Sequence, residues 1–156
     1  MAPKFIVDLN VGRLAKWLRV TGFDTLFLKG IDDNRLIRVA LEEGRIVLTR
    51  DRQIAERRLV TIGRLKVILI EDDDVREQLR QVVATLNLSS SLKPFTLCLN
   101  CNQLLVPKSR EEVRDKVPPY VFQTQTRFVQ CPSCERIYWR GTHWQRMTAE
   151  LEKLVV

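Results

Sequence analysis

Four cysteines carry the clearest chemistry in the chain. Cys98, Cys101, Cys131 and Cys134 form two Cys-x-x-Cys pairs, 29 residues apart, all in the last 59 residues of the sequence. Each pair can present two thiolates from one tight turn, and two such knuckles complete a tetrahedral shell for a single structural Zn²⁺. Two disulfides compete for the same residues. Bridges within each pair would leave the knuckles unconnected, and no export signal points to an oxidising compartment. A redox Cys-x-x-Cys is expected beside a βαβ pattern, whereas these cysteines lie outside the alternating part of the chain. His143 is a stray candidate ligand, but four thiolates already satisfy the ion, so a packed or phosphate-facing imidazole is expected there.

A second set of capable side chains is acidic. Asp8 closes the apolar run Phe5-Ile6-Val7; Asp32 and Asp33 follow Thr25-Leu26-Phe27-Leu28; Asp51 follows Ile46-Val47-Leu48-Thr49; Asp72, Asp73 and Asp74 follow Val67-Ile68-Leu69-Ile70. If these runs are parallel strands, all the acids share one sheet edge, where open α/β folds bind ligands. Carboxylates gathered there repel one another unless a cation sits among them, and hard Mg²⁺ or Mn²⁺ takes oxygen ligands of this kind. Aspartate is also a favoured helix cap, stabilising by roughly 0.3–1 kcal/mol near a helix N-terminus. Asp33, Asp51 and Asp74 all stand where a cap is wanted. Asp8 differs: it precedes its helix by two or more residues and ends a buried-looking strand, where an unpaired carboxylate is costly. Asp72 and Asp73 also read as a solvated turn, as does Asp24. Arg13 and Arg50 fall near the same edge and can grip phosphate. Lys16, Arg19, Arg57 and Arg58 read instead as solvent faces of amphipathic helices.

The elements that must position these groups are legible. Leu14, Trp17 and Leu18 repeat at helical spacing after the first strand, and Gly22 stops that helix. A helix opening near Asp33 carries Leu36, Ile37, Ala40 and Leu41 and ends at Gly44. A short helix with Ile54 and Ala55 follows the third strand, and a longer one from Asp74 carries Leu79, Val82, Val83 and Leu86. Four strand–helix units in about ninety residues predict an α/β fold, a compact parallel sheet with helices on both faces. Ser89-Ser90-Ser91 and Pro94 mark a linker. The charged stretch Lys108 to Pro119 reads as the loop between the two knuckles. Domains are therefore expected at 1–92 and 93–156, the second ending in a helical tail.

Bulk composition agrees with a folded, nucleic-acid-facing protein. Of 156 residues, 45% are hydrophobic, and 26 Lys and Arg against 19 Asp and Glu leave a formal +7. A pI near 9.6 favours a polyanionic partner. The apolar runs are too short to span a bilayer, and Met1 to Asp8 reaches a carboxylate too early for a signal peptide. A cytoplasmic protein is expected.

Taken together, Phe5-Ile6-Val7-Asp8, Gly12 to Arg19, Gly22-Phe23-Asp24-Thr25 and Leu48-Thr49-Arg50-Asp51-Arg52 resemble the PIN-like ribonuclease family named after the C-terminal domain of the Mut-seven exonuclease. Cys98-Leu99-Asn100-Cys101-Asn102, Val117-Pro118-Pro119, Cys131-Pro132-Ser133-Cys134 and Tyr138 to Trp144 are similar to the zinc ribbon that this family carries after it. The resemblance spans almost the whole chain. It implies a PIN-like parallel sheet followed by a small zinc-ribbon domain, a divalent-metal site of acids, and cleavage of RNA. On this sequence it makes Asp8, Asp33 and Asp51 the catalytic set. Asp32, Asp72 and Asp74 are further acids, since the fourth acid of larger PIN domains has no unambiguous counterpart. One or two Mg²⁺ or Mn²⁺ ions would activate a water for in-line attack.

For the ribbon, Tyr138-Trp139-Arg140-Gly141-Thr142-His143-Trp144-Gln145-Arg146 alternates aromatic and basic residues. It can stack bases and grip phosphates, with Arg140 and His143 as RNA contacts. Equally, Trp139 and Trp144 can be core or the seam against the other domain. The rival readings are a non-catalytic RNA-binding zinc-ribbon protein, a toxin-type PIN nuclease with a protein partner, and a phosphotransfer enzyme. The last is disfavoured: Asp8-Leu9-Asn10 lacks the second acid of a haloacid-dehalogenase Asp-x-Asp, and the acidic pair and late lysine of a receiver domain are missing.

Overall fold

The computed structural model describes residues 2–154. The chain opens with β1 (Phe5–Val7), a 3₁₀ turn (Leu9–Val11), α1 (Gly12–Val20), β2 (Thr25–Leu26), α2 (Asp33–Glu43) and β3 (Ile46–Thr49). It continues through two short helices, α3 (Arg52–Ala55) and α4 (Arg58–Thr61), to β4 (Val67–Leu69) and α5 (Val75–Leu86). The four strands form one parallel sheet in the order β2-β1-β3-β4. Register is set by Phe5 opposite Thr25 and Ile46, Val7 opposite Leu48, and Thr49 opposite Leu69.

Both faces of the sheet are covered, which is why its strands are apolar without interruption. Alternate residues point to opposite faces. Phe5, Val7, Ile46, Leu48 and Ile68 enter one cluster with α1 and α5; Ile6 and Val47 enter the other with Leu36, Ile37 and Ala40 of α2 and Ile54 of α3. The result is the expected α/β arrangement of a parallel sheet with flanking helices.

Beyond α5 the chain forms β5 (Val106–Lys108), α6 (Arg110–Val113), α7 (Pro119–Thr124), β6 (Phe128–Gln130), β7 (Ile137–Tyr138) and α8 (Thr142–Leu154). The three strands are antiparallel, ordered β5-β6-β7. The stretch from Lys108 to Pro119, expected as a loop, contains α6. Ser109 and Glu112 close a reciprocal capping box there, and Val113 and Val117 pack with Val121 and Phe128 in a small core of their own. Helix α8 then returns to the first sheet. Met147 and Leu151, one turn apart, are buried in the same cluster as α1 and α5, and Arg76 meets Glu150 at 3.3 Å. Burial of two such side chains contributes about 1.5–3 kcal/mol each. Among the described residues no helix is long and apolar enough to cross a membrane.

Three local expectations change. Asp32, not Asp33, caps α2, its carboxylate accepting the Arg35 amide at 2.8 Å. Arg19 is not on a solvent face: it is 9% exposed. Asp24 is not a solvated turn but the partner of buried Arg45 at 2.8 Å.

Candidate functional site

The sheet order decides where the acids meet. The chain steps from β1 outward to β2, then crosses back to β3 on the other side of β1, so β1 and β3 flank the topological switch point. Asp8 leaves β1 and Asp51 leaves β3 at that crevice. Thr49 stands between them. Its hydroxyl, fully buried, donates to Asp8 Oδ2 at 2.7 Å and accepts the Asp51 amide at 3.0 Å. Asp8 Oδ1 also accepts the Leu9 amide at 2.8 Å, capping the 3₁₀ turn. Asp51 Oδ1 accepts the Gln53 amide at 2.9 Å and caps α3. Both carboxylates are thus oriented by backbone amides, and both remain half-exposed.

The other acids occupy the same edge more loosely. Asp33 is exposed at the first position of α2 and is bonded to nothing among the described residues, beside the capping Asp32. Asp72 accepts the Asp74 amide, and Asp74 caps α5 by accepting the Arg76 amide, each at 2.8 Å. Asp73 pairs with the guanidinium of Arg50, whose own amide donates to Asn10 Oδ1 at 3.2 Å. Among the described residues only the four cysteines form a group of three or more side chains gathered to share an ion. Asp8 and Asp51 are joined through Thr49. Their oxygens are the donors a hard cation takes. Thr49 and Asn10 were missed at the sequence level; the only trace of Thr49 is its place two residues before Asp51.

The cysteine site is closed. The four Sγ atoms lie within 4.8 Å of one another. Cys98 and Cys134 Sγ are 3.7 Å apart, which matches the spacing of about 3.8 Å that tetrahedral Zn–S bonds impose. The two knuckles are built alike. In each, the first cysteine's Sγ accepts the second cysteine's amide, at 3.4 Å for Cys101 and 3.5 Å for Cys134. The fourth residue after each first cysteine, Asn102 or Glu135, takes a left-handed conformation with φ of 62° or 63°. Burial pushes the Cys98 thiol up, but hydrogen bonds from the Tyr138 hydroxyl and the Cys101 and Asn100 amides outweigh it and bring the thiol down to about 7. Burial beside Cys98 holds Tyr138 protonated, so its hydroxyl is the donor across the 3.2 Å contact. Such a donor set could hold a metal such as zinc.

The first knuckle is latched to the parallel sheet. Arg19 donates to the Thr25 carbonyl at 3.0 Å and to the Leu99 carbonyl at 2.8 Å. Burial lowers its basicity, offset in part by the charges of Cys98, Cys101 and Asp24. Asn102 accepts the Thr25 amide at 2.9 Å and donates to Asp24 at 2.6 Å. Burial pushes the Asp24 carboxyl up, but its bonds to Arg45 and Asn102 win and hold it below the usual carboxylate range. A groove of about 800 Å³ runs between α1 and this knuckle, lined by Arg13, Lys16, Arg19, Lys29, Leu99 and Asn100 among others.

Arg140 and His143 are exposed and line a second cavity of about 550 Å³, which Leu99 also borders. The indoles beside them are packing groups. Trp139 lies against the small core of the second sheet, and Trp144 stacks edge-on against Phe95 at 4.6 Å. Arg140 sits over the Phe95 ring at 5.7 Å.

Set against known proteins, residues 3–151 match the family model described as the Mut7-C RNAse domain. No curated protein and no solved structure matches.

Proposed function

The chain belongs to the Mut7-C RNAse domain family, and on that premise we propose that it is a ribonuclease that hydrolyses RNA phosphodiester bonds at the carboxyl edge of its parallel sheet. The observation that carries the reading is the Val7–Leu48 register, which sets Asp8 beside Thr49 and Asp51 at the switch point. Asp8, Asp33 and Asp51 are the acids that would hold Mg²⁺ or Mn²⁺, with Asp32, Asp72 and Asp74 along the same edge. When bound, such an ion supplies a polarised water and charge stabilisation at the leaving oxygen. Thr49 and the Leu9 and Gln53 amides keep two of the carboxylates oriented. Arg13 and Arg50 would grip the flanking phosphates, Arg50 by exchanging Asp73 for the substrate. The products carry 5′-phosphate and 3′-hydroxyl ends. Zinc at the four cysteines stabilises the second half of the chain, and Arg140 and His143 provide further RNA contacts. The division into residues 1–92 and 93–156 belongs to the same proposal.

The test is cleavage of labelled RNA by the zinc-loaded chain with and without Mg²⁺ or Mn²⁺. Asparagine is as good a helix cap as aspartate, so Asp51→Asn and Asp8→Asn retain the fold. Each is expected to lose at least about 100-fold in cleavage rate, about 2.7 kcal/mol of barrier. Wild-type rates in both variants overturn the assignment of these two acids, and no metal-dependent cleavage by the parent leaves an RNA-binding protein without this activity.

A further inference from the structure

The groove between α1 and the first cysteine knuckle is described by neither the acids nor the metal site, yet it opens beside them. Leu9 and Asn10, the residues after Asp8, line it together with Leu99 and Asn100 of the knuckle. Its charge is one-sided. Arg13 and Lys16 project from α1 and Lys29 from the loop after β2, all three exposed. The one carboxylate in the lining is Asp73, which pairs with Arg50, against four cations from Arg13, Lys16, Arg19 and Lys29. Phe27 supplies a half-exposed aromatic ring on the same wall, in contact with Gly12, where a Cβ would come within 2.7 Å of the ring. Cations interleaved with an aromatic face are the surface on which single-stranded nucleic acid is held, phosphates on the cations and a base on the ring. A cleft of about 800 Å³ is the size of a ligand site.

Resting on the ribonuclease reading, we infer that this groove is the track for the single-stranded RNA backbone leading to Asp8, and that the first cysteine knuckle forms its second wall. Arg19 fixes that wall. Buried and bonded to Thr25 and Leu99, it ties the knuckle to α1 at the depth that leaves the groove open. The metal-bearing half of the chain thus contributes to substrate capture and not to stability alone.

The experiment measures binding of a short fluorescein-labelled oligouridylate to the full zinc-loaded chain by anisotropy, with no Mg²⁺ or Mn²⁺ added, across a salt titration. Charge reversal in Lys16→Glu/Lys29→Glu is expected to weaken binding roughly tenfold or more and to flatten the salt slope by about 1.4, the share of two phosphates on a single strand. Phe27→Leu weakens binding without changing that slope. Arg64→Glu, exposed before β4 at the opposite edge of the sheet, leaves affinity within about twofold, since a charge beyond the Debye length is screened. Duplex RNA of the same length binds more weakly than the single strand. An unchanged slope in the double lysine variant, an equal loss in Arg64→Glu, or tighter binding of duplex overturns the groove. Because no cleavage is read, these outcomes are independent of whether Asp51→Asn abolishes activity.

Discussion

Thr49 and Asp8 sit on neighbouring parallel strands and share a 2.7 Å hydrogen bond, while the same hydroxyl receives the Asp51 amide. One buried side chain therefore orients the two acids at the switch point. Thr49→Val keeps the shape and removes both bonds. Leaving the Asp51 amide unsatisfied costs about 1–3 kcal/mol, so a lower melting temperature is expected together with slower RNA cleavage. Thr49→Ser retains the hydroxyl and is expected to recover most of the rate, which a merely volumetric role for Thr49 would not predict.

The latch at Arg19 is a second point of failure. Arg19→Lys keeps the charge but cannot span the carbonyls of Thr25 and Leu99 with a planar fork. We expect about 2–4 kcal/mol of lost stability, since a buried cation is left with poorer partners. Hydrogen exchange should quicken first at residues 97–102. Uniform exchange across both sheets would count against a local latch.

At Gly22 the backbone has φ +93°, and an added Cβ would lie 2.3 Å from the Lys93 carbonyl oxygen. Gly22→Ala is expected to destabilise by about 2 kcal/mol or more, from the left-handed conformation plus displacement of the linker. Thermal unfolding measures it. The nearby bond from Lys93 N–H to the Thr21 carbonyl at 2.8 Å is the contact that must open.

Acid should loosen the same seam. Asp24 has its folded-state value depressed by Arg45 and Asn102. Its contribution is therefore present above the unfolded carboxylate value near 3.9 and is lost as pH falls through the lower folded value. Below about pH 4 the melting temperature of the parent should fall more steeply than that of Asp24→Asn, and the two curves should converge at the acid end. Parallel curves would remove Asp24 from the seam.

Zinc removal separates the two halves. A thiol-competent chelator should release one Zn²⁺ per chain and expose the backbone of residues 131–135 first, because the first knuckle keeps its bonds to Arg19 and Thr25. The Arg45 network and both clusters flanking the parallel sheet involve no cysteine. Far-ultraviolet circular dichroism should accordingly retain most of its helical signal, and Cys101→Ser should reproduce the effect without chelator.

Local pattern was enough to determine the strand–helix alternation, the pairing of the cysteines and the common edge of the aspartates. Parallel strands run one way, so whatever follows each strand emerges on the same side, and periodicity needs only near neighbours to be read. The off-by-one at Asp32 shows the limit of that reading: either aspartate could cap, and only the backbone angle and the bond to Arg35 distinguish them. Lys108 to Pro119 looked like a loop because its four-residue helix is too short to show a period. Arg19 looked like a solvent residue because its partners are backbone carbonyls, one 6 and one 80 positions away, and a carbonyl has no residue type for a sequence to display. The Thr49–Asp8 bond, the Asp24–Asn102 contact and the groove likewise join residues far apart in the chain. Contacts made to main-chain groups across long separations exist only once the chain is packed, so tertiary structure alone decided how the cysteine half docks and what it leaves open beside Asp8.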